Sequence, residues 1–157
     1  MSAILIVSQS SGKVLDVPGS SSTNGTRIQQ FTSNGNANQR WQFVHVGSGL
    51  WKIVSESSGK VLDVPGFSTT DGTQIQQFTD NGGSNQRWRL VPVPSGGVKI
   101  VSEVSDKVLD VPGFSTTDGT QIQQFTDNGG SNQRWKLISV SSGADMLDRL
   151  LNESVGA

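Results

Sequence analysis

Apolar and polar positions alternate along this chain in short runs, and the runs return. In Val14-Leu15-Asp16-Val17, Leu15 and Val17 fall on one side of an extended backbone and Asp16 on the other, because successive side chains of a strand point to opposite faces. In Ile28-Gln29-Gln30-Phe31 the same rule groups Ile28 with Gln30, and Gln29 with Phe31. If Ile28 faces a core, Phe31 lies outside it beside Gln29, and an exposed ring next to an amide asks for an explanation. Both patterns recur twice more at an interval of 47 residues, which Trp41, Trp88 and Trp135 also keep. Val61–Trp88 returns letter for letter as Val108–Trp135. A fixed period marks one supersecondary unit used three times.

The units run over about residues 4–50, 51–97 and 98–144. Each holds four strand-like stretches, in the second unit near Trp51–Ser55, Val61–Val64, Thr73–Phe78 and Trp88–Val91. Ser58-Gly59, Pro65-Gly66, Asp71-Gly72 and Asn81-Gly82-Gly83 punctuate them as turns. The period predicts an all-β domain over 1–144 with about twelve strands. Leucine-rich rungs are shorter than this unit, and propellers need about four to eight blades. Three units point to a threefold closed barrel with a hairpin cap, which leaves no long edge exposed. Residues 145–157 lie outside the repeat. Apolar positions there recur as in a short amphipathic helix, either packed on the barrel or docking a partner or a second copy.

Composition narrows the function. Charged residues make up 16% of the chain, the net charge is −1, and no Lys/Arg stripe is present, which argues against nucleic acid. A surface rich in hydroxyls and amides suits neutral polar ligands. The absence of cysteine removes disulfides, thiolate chemistry and most structural zinc sites. No metal or cofactor is expected. The N-terminus, Met1–Val7, is too short and uncharged for a signal peptide, and no apolar run reaches membrane-spanning length. These features suggest a cytoplasmic or non-classically exported protein, or an excised module of a secreted one.

Gln39-Arg40-Trp41, Gln86-Arg87-Trp88 and Gln133-Arg134-Trp135 resemble the Q-x-W signature of the ricin-type β-trefoil lectins. Leu-Asp-Val at 15–17, 62–64 and 109–111 resembles that family's strand carrying the sugar-binding aspartate. The resemblance spans roughly residues 4–140. It implies a β-trefoil with three pockets, in which an aspartate accepts hydrogen bonds from vicinal sugar hydroxyls, an asparagine adds a further bond, and an aromatic ring stacks on the sugar's apolar face. Carried across, repeat one offers Asp16, Gln29, Phe31, Asn38 and Gln39; repeat two Asp63, Gln76, Phe78, Asn85 and Gln86; repeat three Asp110, Gln123, Phe125, Asn132 and Gln133.

Those residue types suit a pyranose, which is ringed by hydroxyls yet keeps C–H patches. A carboxylate takes two O–H donors at once, and an aromatic face covers the C–H patch. Plainer roles compete at the same positions. The signature tryptophans read as core; Gln39, Gln86 and Gln133 read as structural hydrogen-bonders at a strand entry. The three aspartates could bond turn backbone, and the three phenylalanines could be satellite core. Trp51 aligns with Ile4 and Val98 and reads as core, while Asp71 and Asp118 align with Asn24 and read as turn formers. Two departures from the family matter: the stacking ring is Phe rather than Trp or Tyr, and repeat one has Ser20 where the others have Phe67 and Phe114.

The leading expectation is a non-enzymatic, multivalent lectin. The resemblance implies galactose, N-acetylgalactosamine or lactose-type termini, with xylan-like polysaccharide as an alternative. A protease-inhibitor or other protein-binding trefoil is the second reading, and a targeting module of a glycosidase or toxin a further setting. An enzyme is disfavoured: the single histidine, His45, has no counterpart in the other repeats, and a glycosidase needs two facing carboxylates where each pocket supplies one.

Overall fold

The computed structural model describes residues 2–156. Its strands are β1 (Ile4–Ser8), β2 (Val14–Asp16), β3 (Gln29–Phe31), β4 (Trp41–His45), β5 (Leu50–Ser55), β6 (Val61–Asp63), β7 (Gln76–Phe78), β8 (Trp88–Pro92), β9 (Val98–Ser102), β10 (Val108–Asp110), β11 (Gln123–Phe125) and β12 (Trp135–Ser139). One helix, α1 (Leu147–Gly156), follows. The twelve strands among the described residues meet the expected number.

Six strands close a ring. β1 pairs with β4, β4 with β5, β5 with β8, β8 with β9, β9 with β12 and β12 with β1, all antiparallel. The short pairs β2–β3, β6–β7 and β10–β11 form three hairpins over one end. Single bridges Arg27 to Gln76, Gln74 to Gln123 and Gln29 to Gln121 tie the hairpins to one another around the threefold axis. This is the threefold closed barrel with a hairpin cap that the period implied, and the β-trefoil that the family resemblance implied.

The third strand of each unit is shorter than its alternation predicts. Thr73–Ile75 is not part of β7, because the Ile75 amide donates to the Ile122 carbonyl of the next repeat instead of continuing the ladder with β6. The apolar face of each strand fills a single core. Trp41, Trp88 and Trp135 are fully buried and each indole Nε1 donates to the carbonyl of Leu15, Leu62 or Leu109 at 3.1, 3.2 and 3.1 Å. A buried indole N–H without such a partner would be costly, so this bond accompanies the packing. Trp51 is buried with them, as its alignment with Ile4 and Val98 predicts. His45 stacks on Trp51 with ring centroids 5.0 Å apart.

α1 packs on the barrel. Its N-terminal turn is fastened by the Leu147 amide on Asp145 Oδ1 (2.9 Å) and the Met146 amide on the Leu137 carbonyl (2.7 Å). Met146 and Leu150 are buried in the same core cluster as Ile4 and Phe43, with Leu147 and Leu151 partly buried against it. The apolar stripe of the tail is therefore spent on its own barrel. Among the described residues, no helix is long and apolar enough to cross a membrane.

Candidate functional site

Each repeat contributes one surface depression beside its hairpin. In repeat two it is lined by Asp63, Gly66, Phe67, Gln76, Phe78, Asn81 and Asn85, with a volume of about 210 Å³. The equivalents in repeats three and one measure about 230 and 260 Å³. Four of the five residues expected in each repeat line these depressions; the signature glutamine does not.

The β6–β7 register sets Asp63 directly across from Gln76 at the end of the hairpin. Asp63 Oδ1 accepts from Gln76 Nε2 at 3.0 Å, and Oδ2 accepts from Asn85 Nδ2 at 3.2 Å and Gln86 Nε2 at 2.9 Å. Asp16 and Asp110 have the same three partners in their own repeats, at 2.8–3.3 Å. The three aspartates are 2% exposed, and their hydrogen-bond partners are side-chain amides rather than turn backbone. A carboxylate has about four acceptor positions, so three bonds leave one free, on Oδ1.

The asparagines supply a second acceptor. Asn85 Nδ2 donates to Asp63 and, at 3.0 Å, to the Val64 carbonyl, while its Oδ1 is buried with no partner. Asn38 Oδ1 and Asn132 Oδ1 are orphaned in the same way. A buried acceptor left unpaired costs about 1–3 kcal/mol. Three such acceptors, one per repeat and each on a residue lining a depression, mark a place for a donor. Gln76 adds the opposite polarity, since only one of its two amide hydrogens is used on Asp63. Each depression thus offers two acceptors and one donor beside a half-exposed phenyl ring, which is Phe31, Phe78 or Phe125. The ring is neither core nor free surface.

The structure corrects one expectation. Gln39, Gln86 and Gln133 are fully buried, line none of the depressions and have both amide hydrogens already used. Gln86 Nε2 donates to Asp63 and to the Thr79 carbonyl, and its Oε1 accepts from the Asn81 amide at 2.9 Å; Gln39 and Gln133 repeat this. They hold the aspartate and the rim loop in place from behind.

Several rim residues escaped the sequence reading. Asn34, Asn81 and Asn128 were legible only as turn formers, yet they line the depressions. Asp80 anchors the second rim loop by ion pairs to Lys52 (2.8 Å) and Arg87 (3.7 Å); Asp127 does so in repeat three with Lys99 (2.9 Å) and Arg134 (3.4 Å). The hydrogen bond from Lys52, opposed by desolvation and helped by the Gly82 amide, holds the Asp80 carboxyl below its ordinary value of 3.8; Lys99 does the same for Asp127. Repeat one has Ser33 and Leu5 at these positions and lacks the anchor. Among the described residues, no group of three or more His, Cys, Asp or Glu is placed to hold a metal ion.

A threefold trefoil carrying an aspartate, an asparagine and a ring at each hairpin has the form of a carbohydrate-binding domain of the lectin class. The sequence model described as ricin-type beta-trefoil lectin domain-like matches residues 2–78, 37–125 and 84–153, and the chain belongs to that family. Among solved structures, it is similar to the designed threefold symmetric protein ThreeFoil, with 41% identity and a TM-score of 0.86 over 88% of this chain and 99% of that one. It is also similar to an exo-β-1,3-galactanase from Clostridium thermocellum, with 45% identity and a TM-score of 0.86, covering 89% of this chain but only 30% of the enzyme. A ricin B-like lectin from Macrolepiota procera, solved in complex with lactose, matches at 25% identity and a TM-score of 0.74 over 85% of this chain and 93% of that one. No curated protein sequence matches the chain.

Proposed function

We propose that this chain is a non-enzymatic lectin that binds galactose-type sugars, including N-acetylgalactosamine and lactose, at three pockets. The proposed contacts are Asp16, Gln29, Phe31 and Asn38, then Asp63, Gln76, Phe78 and Asn85, then Asp110, Gln123, Phe125 and Asn132. In this reading residues 1–144 are the binding domain and the tail, 145–157, serves its stability. The observation that carries the proposal is the orphaned Asn Oδ1 beside a carboxylate with one free acceptor position, repeated three times against a phenyl face. Two acceptors and a donor match a vicinal diol, and the ring matches the apolar C–H face of galactose. The lactose complex of the Macrolepiota procera lectin and the galactan-cleaving enzyme among its similar structures support galactose over xylan.

One carboxylate per pocket supports binding rather than hydrolysis, which needs a second across the bond. The large remainder of the galactanase agrees with a targeting role in a longer protein.

Calorimetry with lactose tests this. Because each aspartate also satisfies two buried amides and the half-buried glutamine of its hairpin, its removal would disturb the fold, so the rings are the cleaner target. Phe31→Ala, Phe78→Ala and Phe125→Ala together should weaken lactose binding at least about tenfold while the thermal transition remains cooperative. Binding of the triple variant equal to that of the parent would remove the site assignment. On a lactose-coated surface the parent should gain about 10²–10⁴-fold by simultaneous engagement, and single-pocket variants should not.

A further inference from the structure

The three pockets are not equivalent, and the difference lies in a pair of positions that face each other across the rim. In repeats two and three, Phe67 and Phe114 stand at the pocket mouth, 51% and 53% exposed. Ser20, Phe67 and Phe114 all adopt φ near +55°, so the left-handed turn belongs to all three repeats and the side chain it carries is what differs.

Opposite them lie Gly83 and Gly130, whose φ values of −70° and −73° any residue can adopt. Glycine is there for room. A Cβ on Gly83 would stand 2.5 Å from Asn85 Oδ1, closer than real Cβ atoms come, and 3.1 Å from Phe67 Cζ, so that the ring would have to give way. Gly130 is closed off in the same way by Asn132 and Phe114. Repeat one has Ser20 for the phenylalanine and Asn36 for the glycine, on nearly the same backbone (φ −83°, ψ 159°). Phe goes with Gly, and Ser goes with Asn, because the ring and a side chain opposite it compete for one space.

Resting on the galactoside reading above, we infer that the pairs Phe67–Gly83 and Phe114–Gly130 form a second aromatic wall that takes an apolar substituent or aglycone of the bound sugar, whereas Ser20–Asn36 makes pocket one a polar-rimmed site without that preference. In pockets two and three the sugar ring meets Phe78 or Phe125, and whatever projects from it over the rim meets a second phenyl face. In pocket one the same group meets a hydroxyl and an amide.

Site-resolved NMR titration with methyl β-galactoside and p-nitrophenyl β-galactoside decides it. The side-chain amides of Gln29, Gln76 and Gln123 report the three pockets separately. Replacing methyl by nitrophenyl should tighten binding about 3- to 10-fold at pockets two and three and leave pocket one within about twofold. Phe67→Ser should abolish the gain at pocket two and preserve it at pocket three. Gly83→Asn should block pocket two, and adding Phe67→Ser should restore binding there in the form of pocket one. The transplant Ser20→Phe with Asn36→Gly should confer the nitrophenyl preference on pocket one, which keeps the test independent of how well any pocket-two variant folds. An equal gain at all three pockets, or a gain at pocket two that survives Phe67→Ser, overturns the inference while leaving the galactoside reading intact. Silence of all three amides with both ligands overturns the galactoside reading and this inference with it.

Discussion

Gln86 shows how much of the proposed site is held by residues that do not line it. Its amide holds Asp63 Oδ2, the Thr79 carbonyl and the Asn81 amide at once. Gln86→Ala would leave Asp63 short of a partner in a buried place and the Thr79 carbonyl and Asn81 amide short of one at its half-buried edge, which should cost about 2–4 kcal/mol. Urea unfolding should therefore show a lower midpoint at unchanged slope. Lactose affinity should fall at pocket two alone, since the carboxylate and rim loop it fastens belong to that repeat. From the sequence, Gln86 and Asp63 were visible as neighbours in a motif. That one faces the ligand space and the other stands behind it depends on a hydrogen-bond network among residues 63, 76, 85 and 86, which no single strand contains.

At the scale of elements, the cap is what joins the repeats. Gln77, fully buried in the middle of β7, donates to the Ser21 and Thr23 carbonyls of repeat one at 2.9 and 3.0 Å and accepts from Ser58 Oγ at 2.8 Å. Gln124 reaches in the same way into repeat two, and Gln30 into repeat three, closing a cycle. Asn24, Asp71 and Asp118 complement it by accepting from the backbone amides of Thr79, Thr126 and Thr32. These three residues read as turn formers in the sequence; they also lock one repeat to the next. Gln77→Leu, which keeps the bulk but strips the polar atoms, should destabilise by about 2–4 kcal/mol because two backbone carbonyls are left unpaired. A urea midpoint equal to the parent's would refute this account of the cap. The alternation that assigned Gln30, Gln77 and Gln124 to the core side was legible; the carbonyls they donate to lie 54 to 87 residues away and were not.

For the molecule as a whole, acid is the sensitive direction. The lysine hydrogen bonds keep Asp80 and Asp127 below 3.8 in the folded state. At Asp71 and Asp118 desolvation opposes, but hydrogen bonds from Thr126 and Thr32, with Lys107 and Lys13 nearby, bring the same downward shift. A depressed folded pKa means stability that is complete above the unfolded value and lost as pH falls through the folded one. The unfolding midpoint should hold steady above about pH 5 and decline below pH 4. Salt should blunt the decline, because these carboxylates lie near solvent. Asp80→Ser with Asp127→Ser, which gives both loops the residue found in repeat one, should flatten the acid limb; an unchanged limb would place the sensitivity elsewhere.

The repeat, the all-β class and the buried tryptophans follow from the sequence alone, because a strict period and a two-residue alternation are local properties that survive without coordinates; the residue types of each proposed pocket came through the family resemblance. Tertiary structure decided which of those polar residues face outward. The helical tail was legible as an amphipathic stripe, yet that stripe could have met a partner; only the open flank beside Ile4 and Phe43 shows where it is buried. Ser20 against Phe67 was legible as a difference between repeats, but that the Phe67 ring lies against Gly83 was not. Burial, orphaned acceptors and exclusion of one atom by another are distances between segments far apart in the chain, and those arise when the three units close on their common axis.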